Sequence, residues 1–143
     1  MKKCLAFTAS MLLICNPVLS QSYDLLTRAQ SGDVSAQMMV GDMFSAGEGV
    51  IQDYVEAAKW YRLAARRGNA ESQLSLGLLY SQGQGVKQNI EIAYQWVSMA
   101  AAQGAKDAIE ARDLINGQLD AQTRDRAQQL ATRCLESKYA QCE

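Results

Sequence analysis

The chain has 143 residues, of which 14 are Lys or Arg, 15 are Asp or Glu, four are Cys and none is His. This length supports one domain, and the formal charge of −1 disfavours a nucleic-acid binder, which normally carries a basic surface. The lack of His excludes Ser-His and Cys-His nucleophilic pairs, HExxH zinc sites and the commonest general base at neutral pH.

The first twenty residues have the parts of a secretory signal sequence. Lys2 and Lys3 supply a positive start, and the apolar stretch from Cys4 to Cys15 is too short to span a bilayer as a helix. We therefore expect cleavage after Ser20 and a destination in the periplasm or outside the cell. A retained N-terminal anchor and a lipoprotein attached through Cys15 are the alternatives.

Two cysteines, Cys134 and Cys142, remain after that cleavage. In an exported chain this pair predicts one structural disulfide, and a redox or metal pair is the alternative. Eight residues of continuous helix would separate the two Cα atoms by about 12 Å, whereas a disulfide needs roughly 4.4–6.8 Å. The last helix must therefore end near residues 137–139, and the tail must fold back.

The chain repeats itself with a period of 36 residues. Segment 29–68 matches segment 65–104 at 14 of 40 positions without a gap, and five of these matches are glycines. A period of this length predicts stacked supersecondary units. The matches that we expect to be structural are Gly41/Gly77, Gly47/Gly83, Gly49/Gly85, Trp60/Trp96 and Gly68/Gly104.

Each unit is predicted to contain two helices. Apolar residues at helical spacing predict first helices over 34–46 and 70–82, each ending in a GxGV turn. Second helices are predicted over about 54–67 and 90–103, with Asp53 and Asn89 as N-caps and Gly68 and Gly104 just past their ends. The mid-helix glycines Gly41 and Gly77 predict a close helix–helix approach, opposite the small residues Ala57, Ala64, Ala93 and Ala100.

These residues resemble the Sel-one-like repeat (SLR) family, whose members are α-solenoids related to the tetratricopeptide repeats. The first unit carries the family's GxGV turn, then Asp53, Ala57, the Trp60-Tyr61 pair and Gly68, and the second unit carries most of the same pattern. The resemblance implies an all-α fold, a short α-solenoid of antiparallel helix pairs with a C-terminal capping helix, and a role as a protein–protein interaction module.

The repeat divides the chain into six segments. These are a signal peptide (1–20), an N-terminal capping half-repeat (21–33), two repeats (34–68 and 69–104), a partial third repeat (105–117) and a capping helix with a disulfide-clipped tail (118–143). We expect the third unit's first helix to end at Asn116-Gly117. Asp120 then caps a final helix that carries Leu130, Cys134 and Leu135 on one side.

No motif indicates a reaction, because SxxK is absent and the GxG pairs are interpreted as turns between helices. In related solenoids the first helices line a concave, peptide-binding surface. The candidate protein-binding groove is therefore formed by Met39, Asp42, Ser75 and Leu78. Met38 and Met43 are interpreted as core residues, although Met also suits adaptable contact surfaces.

Two further residue groups have both a structural and a functional interpretation. Trp60 and Trp96 are interpreted as packing residues rather than carbohydrate platforms. Arg62, Arg66 and Arg67 form a basic patch that is a solvated face or, alternatively, a site for an acidic ligand.

The sequence favours an exported, non-enzymatic SLR adaptor or regulator in the bacterial envelope. It is expected to need no cofactor or metal and to bind another protein rather than nucleic acid or a membrane. A small-molecule-binding or weakly β-lactamase-like secreted repeat protein is one alternative, as some cysteine-rich family members imply. This chain lacks their one disulfide per repeat. A secreted effector is the other alternative.

Overall fold

The computed structural model describes residues 17–140 and residue 142. The described residues form helices joined by turns and short irregular segments and contain no strand, which confirms the all-α prediction. Its helices are α1 (Pro17–Gln30), α2 (Val34–Ala46), α3 (Tyr54–Ala65), α4 (Ala70–Gln82), α5 (Ile90–Ala102), α6 (Lys106–Gln118) and α7 (Ala121–Glu136).

The expected signal sequence lies mostly outside the described residues, since its first sixteen positions are not among them. The expected cleavage point after Ser20 falls within α1. Within the described part of the chain, no helix is both long and apolar enough to cross a membrane.

Side-chain caps explain where five of these helices begin. Each cap residue accepts hydrogen bonds from backbone N–H groups of the first turn, which have no partner within the helix. Asp53 and Asn89 have this role, as predicted, and Asp53 accepts from both Val55 and Glu56. The full set of capping side chains is Asp33, Asp53, Asn69, Asn89 and Asp120.

The GxGV turns end the first helices in the same way in both repeats. Gly47 and Gly83 adopt left-handed backbone conformations, with φ of 75° and 70°, which glycine tolerates without steric cost. The matched residues Gln52 and Gln88 donate side-chain hydrogen bonds of 2.8 Å to the carbonyls at positions 45 and 81. The repeated glutamine therefore holds the turn against the helix that it follows.

The second glycines of the two turns, Gly49 and Gly85, were expected to be equivalent, but their surroundings differ. A Cβ atom added at Gly85 would overlap the backbone carbonyl of Tyr54, at the start of α3. The same atom at Gly49 would meet only Oγ of Ser22, at 3.9 Å. The difference arises because the second turn packs on the repeat before it, whereas the first turn has only α1 on that side. Gly85 thus allows the second turn to pack closely on the start of α3, and Gly49 has no equivalent contact.

The second helices end one or two residues earlier than predicted, at Ala65 and Ala102 instead of 67 and 103. The backbone N–H groups of Gly68 and Gly104 each donate to a carbonyl only three residues back, so the chain tightens before it reaches the glycine. A Cβ atom added at Gly104 would meet nothing within 4 Å. Glycine is therefore favoured at this position by its left-handed φ of 83°, and not by a close packing contact.

The helices stack as consecutive antiparallel pairs. The pairs α2–α3 and α4–α5 pack most extensively, and α3–α4 and α5–α6 join one repeat to the next. Trp96 is fully buried in the main core, whereas Trp60 is half-buried and packs against a smaller cluster around Ala29 and Val40. Both tryptophans are therefore placed as packing residues.

The mid-helix glycines do allow close helix approach, but the predicted opposing residues were largely wrong. A Cβ atom added at Gly41 would lie 2.5 Å from the ring of Tyr61, and one at Gly77 would lie 2.5 Å from Cγ2 of Val97. Tyr61 and Val97 occupy the same repeat position. Only Ala93, whose carbonyl oxygen would lie 3.0 Å from the added atom at Gly77, belongs to the predicted small-residue set.

Helix α6 does not end at Asn116-Gly117 as predicted but continues to Gln118. The guanidinium of Arg124, in the next helix, donates hydrogen bonds to the carbonyl oxygens of Asn116 (3.2 Å) and Leu119 (2.9 Å). These bonds satisfy the helix's terminal carbonyls, so the helix does not need a glycine at that point to end it.

Helix α7 packs across α5 rather than pairing closely with α6. Its buried stripe is Ala127, Ala131 and Cys134, while Leu135 is 43% exposed, which corrects the predicted stripe. The guanidinium of Arg126 fixes the start of α7 to α5 through two hydrogen bonds to Glu91, of 2.9 and 2.7 Å. Helix α7 thus covers one end of the stack, as expected of a solenoid cap.

The disulfide between Cys134 and Cys142 joins α7 to the tail, with the two Cα atoms 4.8 Å apart. The predicted reversal occurs at Lys138 and Tyr139, whose φ angles of 50° and 69° are left-handed. The backbone N–H of Tyr139 donates to the carbonyl of Cys134. The Tyr139 ring then lies against Gly68, so the tail reaches back to the junction between the two repeats.

Candidate protein-binding face

The four candidate groove residues occupy two positions of the repeat. Met39 in α2 matches Ser75 in α4, and Asp42 matches Leu78. Helices α2 and α4 contact each other directly, so the two pairs lie on neighbouring first helices. We call these four residues the first-helix face. Met39 and Leu78 are 47% and 37% exposed, Asp42 is exposed and Ser75 is half-buried.

Tyr61, which sequence reasoning did not nominate, connects the polar members of this face. Its hydroxyl donates a 2.7 Å hydrogen bond to Oδ1 of Asp42 and lies 3.1 Å from Oγ of Ser45. The Ser75 side chain also interacts with this hydroxyl. One side chain of α3 therefore brings together polar groups of α2 and α4.

The surroundings of Tyr61 keep its phenol protonated. Burial, together with the nearby Asp42 carboxylate, raises the pKa of Tyr61 from 10.0 to about 12, because both disfavour the phenolate. At neutral pH the phenol is therefore a stable hydrogen-bond donor to Asp42. It holds that carboxylate in place on the first-helix face.

An open depression of about 320 Å³ lies between α1 and α2. Met39 and Asp42 line it, whereas Ser75 and Leu78 do not. Its other lining residues, Leu25, Met43 and Glu48, were not predicted as site residues. The signal that could have indicated Leu25 is its repeat position, since it stands one period before Tyr61.

The rim of this depression is acidic. Asp42 and Glu48 are both exposed, and among the described residues neither has a Lys or Arg partner. Its apolar lining residues are Leu25, Met39 and Met43, of which Met43 is buried and belongs to the smaller core cluster. This arrangement can accept an apolar group and, beside it, a positive charge.

The three arginines of the basic patch have different surroundings. Arg62 is half-buried, its guanidinium donates a 2.9 Å hydrogen bond to the hydroxyl of Tyr80, and its Cζ lies 5.9 Å from the centre of that ring. This contact joins α3 to α4, so Arg62 has a structural role in packing the two helices. Arg66 and Arg67 are exposed.

A larger open depression, of about 570 Å³, runs along the outer surface of α7. Its lining side chains are all polar and all belong to that one helix: Asp125, Gln128, Gln129, Thr132 and Arg133. Because no second element faces them, this depression has no wall against which a ligand could be enclosed. The described residues also contain no cluster of three or more His, Cys, Asp or Glu side chains that could hold a metal ion.

Comparison with protein families identifies the repeat. The Sel1 repeat model matches residues 34–69 and again residues 70–104. The chain belongs to the Sel1 repeat family. Both matches coincide with the helix pairs α2–α3 and α4–α5, so the family's sequence pattern and the observed packing units agree.

Two solved structures place this Sel1 repeat protein among bacterial proteins with the SLR fold. One is a protective antigen present in uropathogenic Escherichia coli strains, with 25% sequence identity and a TM-score of 0.79. The comparison covers 92% of this chain but only 30% of the antigen. The other is a Sel1 repeat protein from Oxalobacter formigenes, with 28% identity, a TM-score of 0.57, and coverage of 78% of this chain and 99% of that one. Among curated proteins, none matches this Sel1 repeat protein.

Proposed function

We propose that this protein is an exported, non-enzymatic interaction module that binds another protein through the first-helix face. Sel1 repeats are generally protein-interaction modules, and the chain has two of them. The observation that carries the proposal is Met39, which is 47% exposed beside the Asp42 carboxylate that Tyr61 holds in place. Methionine is unbranched and adapts to partners of different shape, so an exposed Met beside a positioned carboxylate suits a contact surface.

Three observations support export. The N-terminal residues have the order expected of a signal sequence, the disulfide suits an oxidising compartment, and one relative of the same fold is a protective antigen. Purified exported protein should therefore begin at Gln21 when its N-terminus is sequenced. A chain that retains Met1 or carries lipid on Cys15 would contradict this part of the proposal.

The binding role is tested by crosslinking in intact envelopes, followed by capture of the protein and mass spectrometry. We expect one dominant partner with the wild type and loss of that partner with Met39→Glu. The matched control is Leu135→Glu, since Leu135 has a similar exposure of 43% but lies on α7. If both variants keep the partner, the first-helix face is not the binding surface.

The same purified protein tests the non-enzymatic part of the proposal. We expect no hydrolysis of the β-lactam nitrocefin above the uncatalysed rate. Hydrolysis that persists through purification and disappears on unfolding would support the β-lactamase-like alternative instead.

A further inference from the structure

The depression between α1 and α2 has a chemistry that distinguishes it from the rest of the first-helix face. Leu25 is the repeat counterpart of Tyr61. One period later, Tyr61 and Ser75 stand where Leu25 and Met39 line the depression, and there the tyrosine hydroxyl interacts with the Ser75 side chain. At the earlier position the side chain is shorter and has no hydroxyl, and the depression opens beside it.

The apolar lining of the depression suits an apolar side chain of variable shape. Two of its three apolar lining residues are methionines, Met39 and Met43, which are unbranched and adapt to different partners. A volume of about 320 Å³ is larger than one Leu or Phe side chain needs, so a segment of chain can enter with its anchor residue.

The rim determines the charge of the occupant. Asp42 and Glu48 present two carboxylates to the same depression, and within the described part of the chain no Lys or Arg neutralises them. Asp42 also cannot turn away freely, because it accepts the Tyr61 hydrogen bond. An acidic segment or an anionic lipid surface would be repelled, whereas a Lys or Arg next to the anchor would be attracted.

We infer that this depression anchors a basic segment of the partner protein, with an apolar side chain on Leu25, Met39 and Met43 and a Lys or Arg beside Asp42 and Glu48. This inference rests on the proposed function and specifies the chemistry of the partner. It commits to a cationic, apolar peptide segment.

The test measures binding of two synthetic peptides by fluorescence anisotropy, using the exported, purified protein. One peptide is a short amphipathic helix of Leu and Lys, and the other has Glu in place of every Lys. We expect the Leu/Lys peptide to bind at least about tenfold more tightly than the Leu/Glu peptide, with affinity falling as salt is raised. Equal affinities for the two peptides would overturn the inference.

Matched variants separate the site from general attraction to an acidic protein. We expect the double variant Asp42→Asn/Glu48→Gln to weaken Leu/Lys binding about fivefold or more, since both rim charges are removed. The control Asp125→Asn/Glu136→Gln removes the same charge from exposed positions on α7 and should bind as the wild type does. An equal loss in both double variants would overturn the inference.

The outcome is also distinguishable from failure of the proposed function. If envelope capture gives a partner that is lost in Met39→Glu, but the Leu/Lys peptide shows no preference, the binding role stands and the basic chemistry is wrong. A partner whose crosslinked segment has no Lys or Arg beside an apolar residue would overturn the inference in the same way.

Discussion

The hydroxyl of Tyr61 donates a 2.7 Å hydrogen bond to the carboxylate of Asp42, so a second-helix residue positions a charge on the first-helix face. Tyr61 is buried and its ring fills the space left by Gly41, which fixes the hydroxyl relative to α2. The Tyr61 side chain therefore both packs the two helices of one repeat together and positions the exposed carboxylate.

The raised pKa of Tyr61 predicts a loss of stability at alkaline pH. Its pKa is about 12 in the folded protein, against 10.0 ordinarily, so the unfolded chain loses this proton first. Stability contributed by the neutral phenol is fully present below pH 10 and is lost as pH rises towards 12. Denaturant unfolding measured across this range should show a shallower decline for Tyr61→Phe.

The control for this prediction is Tyr23→Phe, because Tyr23 is largely exposed on α1. It should leave the alkaline decline unchanged. At neutral pH, Tyr61→Phe should also cost about 1 kcal/mol through the lost hydrogen bond. An alkaline decline that is as steep in Tyr61→Phe as in the wild type would contradict the assignment.

Two helical glycines give a matched test of close packing. In Gly77→Ala the new methyl group would meet Val97 at 2.5 Å and the carbonyl oxygen of Ala93 at 3.0 Å, and backbone cannot move aside cheaply. We expect a destabilisation of about 1–3 kcal/mol. In Gly117→Ala nothing lies within 4 Å of the new atom, so the better helix propensity of Ala should stabilise by about 0.5–1 kcal/mol.

Denaturant melts of both variants measure this difference directly. The change in unfolding free energy should have opposite signs for the two substitutions, although both replace glycine by alanine within a helix. A Gly77→Ala variant as stable as the wild type would mean that the contact between α4 and α5 is looser than the structure has it.

The sequence was sufficient wherever the determining interaction is local. Asp53 and Asn89 cap the helices that directly follow them, and Gly47 and Gly83 end the helices that directly precede them. Because the same local signals occur twice at the same spacing, the repeat also indicated how the helices pair. The first helices, 34–46 and 70–82, were therefore predicted with their observed bounds.

The errors occurred where the determining contact comes from outside the helix concerned. Gly117 was taken as a helix end, but the helix continues to Gln118, and Arg124 of α7 caps the carbonyls of Asn116 and Leu119 on either side of that glycine. The depression combines Leu25 of α1 with Glu48 of the first turn, and only packing brings these two together. Sequence spacing identifies residues on one helix face, but it does not show which neighbouring helix supplies the other wall.

The cap formed by Arg124 gives the next prediction. Arg124→Met keeps much of the aliphatic stem but removes both hydrogen bonds to the end of α6. We expect a loss of about 1.5–3 kcal/mol, as for hydrogen bonds that involve a charged group. Arg66→Met, on an exposed position, should change unfolding free energy by less than about 0.5 kcal/mol.

Hydrogen exchange at the last turn of α6 provides the specific measurement. The amide of Leu119, which donates to the carbonyl of Asn116, should lose protection in Arg124→Met before the amides of α4 do. Uniform loss across the chain would mean that Arg124 stabilises the whole fold rather than this helix end.

Reduction of the disulfide should loosen the cap formed by α7. The bond closes a short loop, with a sequence separation of 8 residues, and in the chain-entropy model its removal costs about 2–3 kcal/mol. Both cysteines are buried and belong to the main core, so the tail cannot leave without exposing α7. We expect the melting temperature to fall by several degrees after equilibration with reductant.

The variant Cys134→Ser/Cys142→Ser serves as the control, since reductant should not change its melting temperature. The side chains that become exposed on reduction show which part of the fold the disulfide holds. Met99 on α5 is buried, whereas Leu63, at the equivalent position of the uncovered α3, is 49% exposed. Oxidation of Met99 by peroxide should accelerate on reduction because α7 then releases the surface above it, and an unchanged rate would mean that the bond holds only the tail.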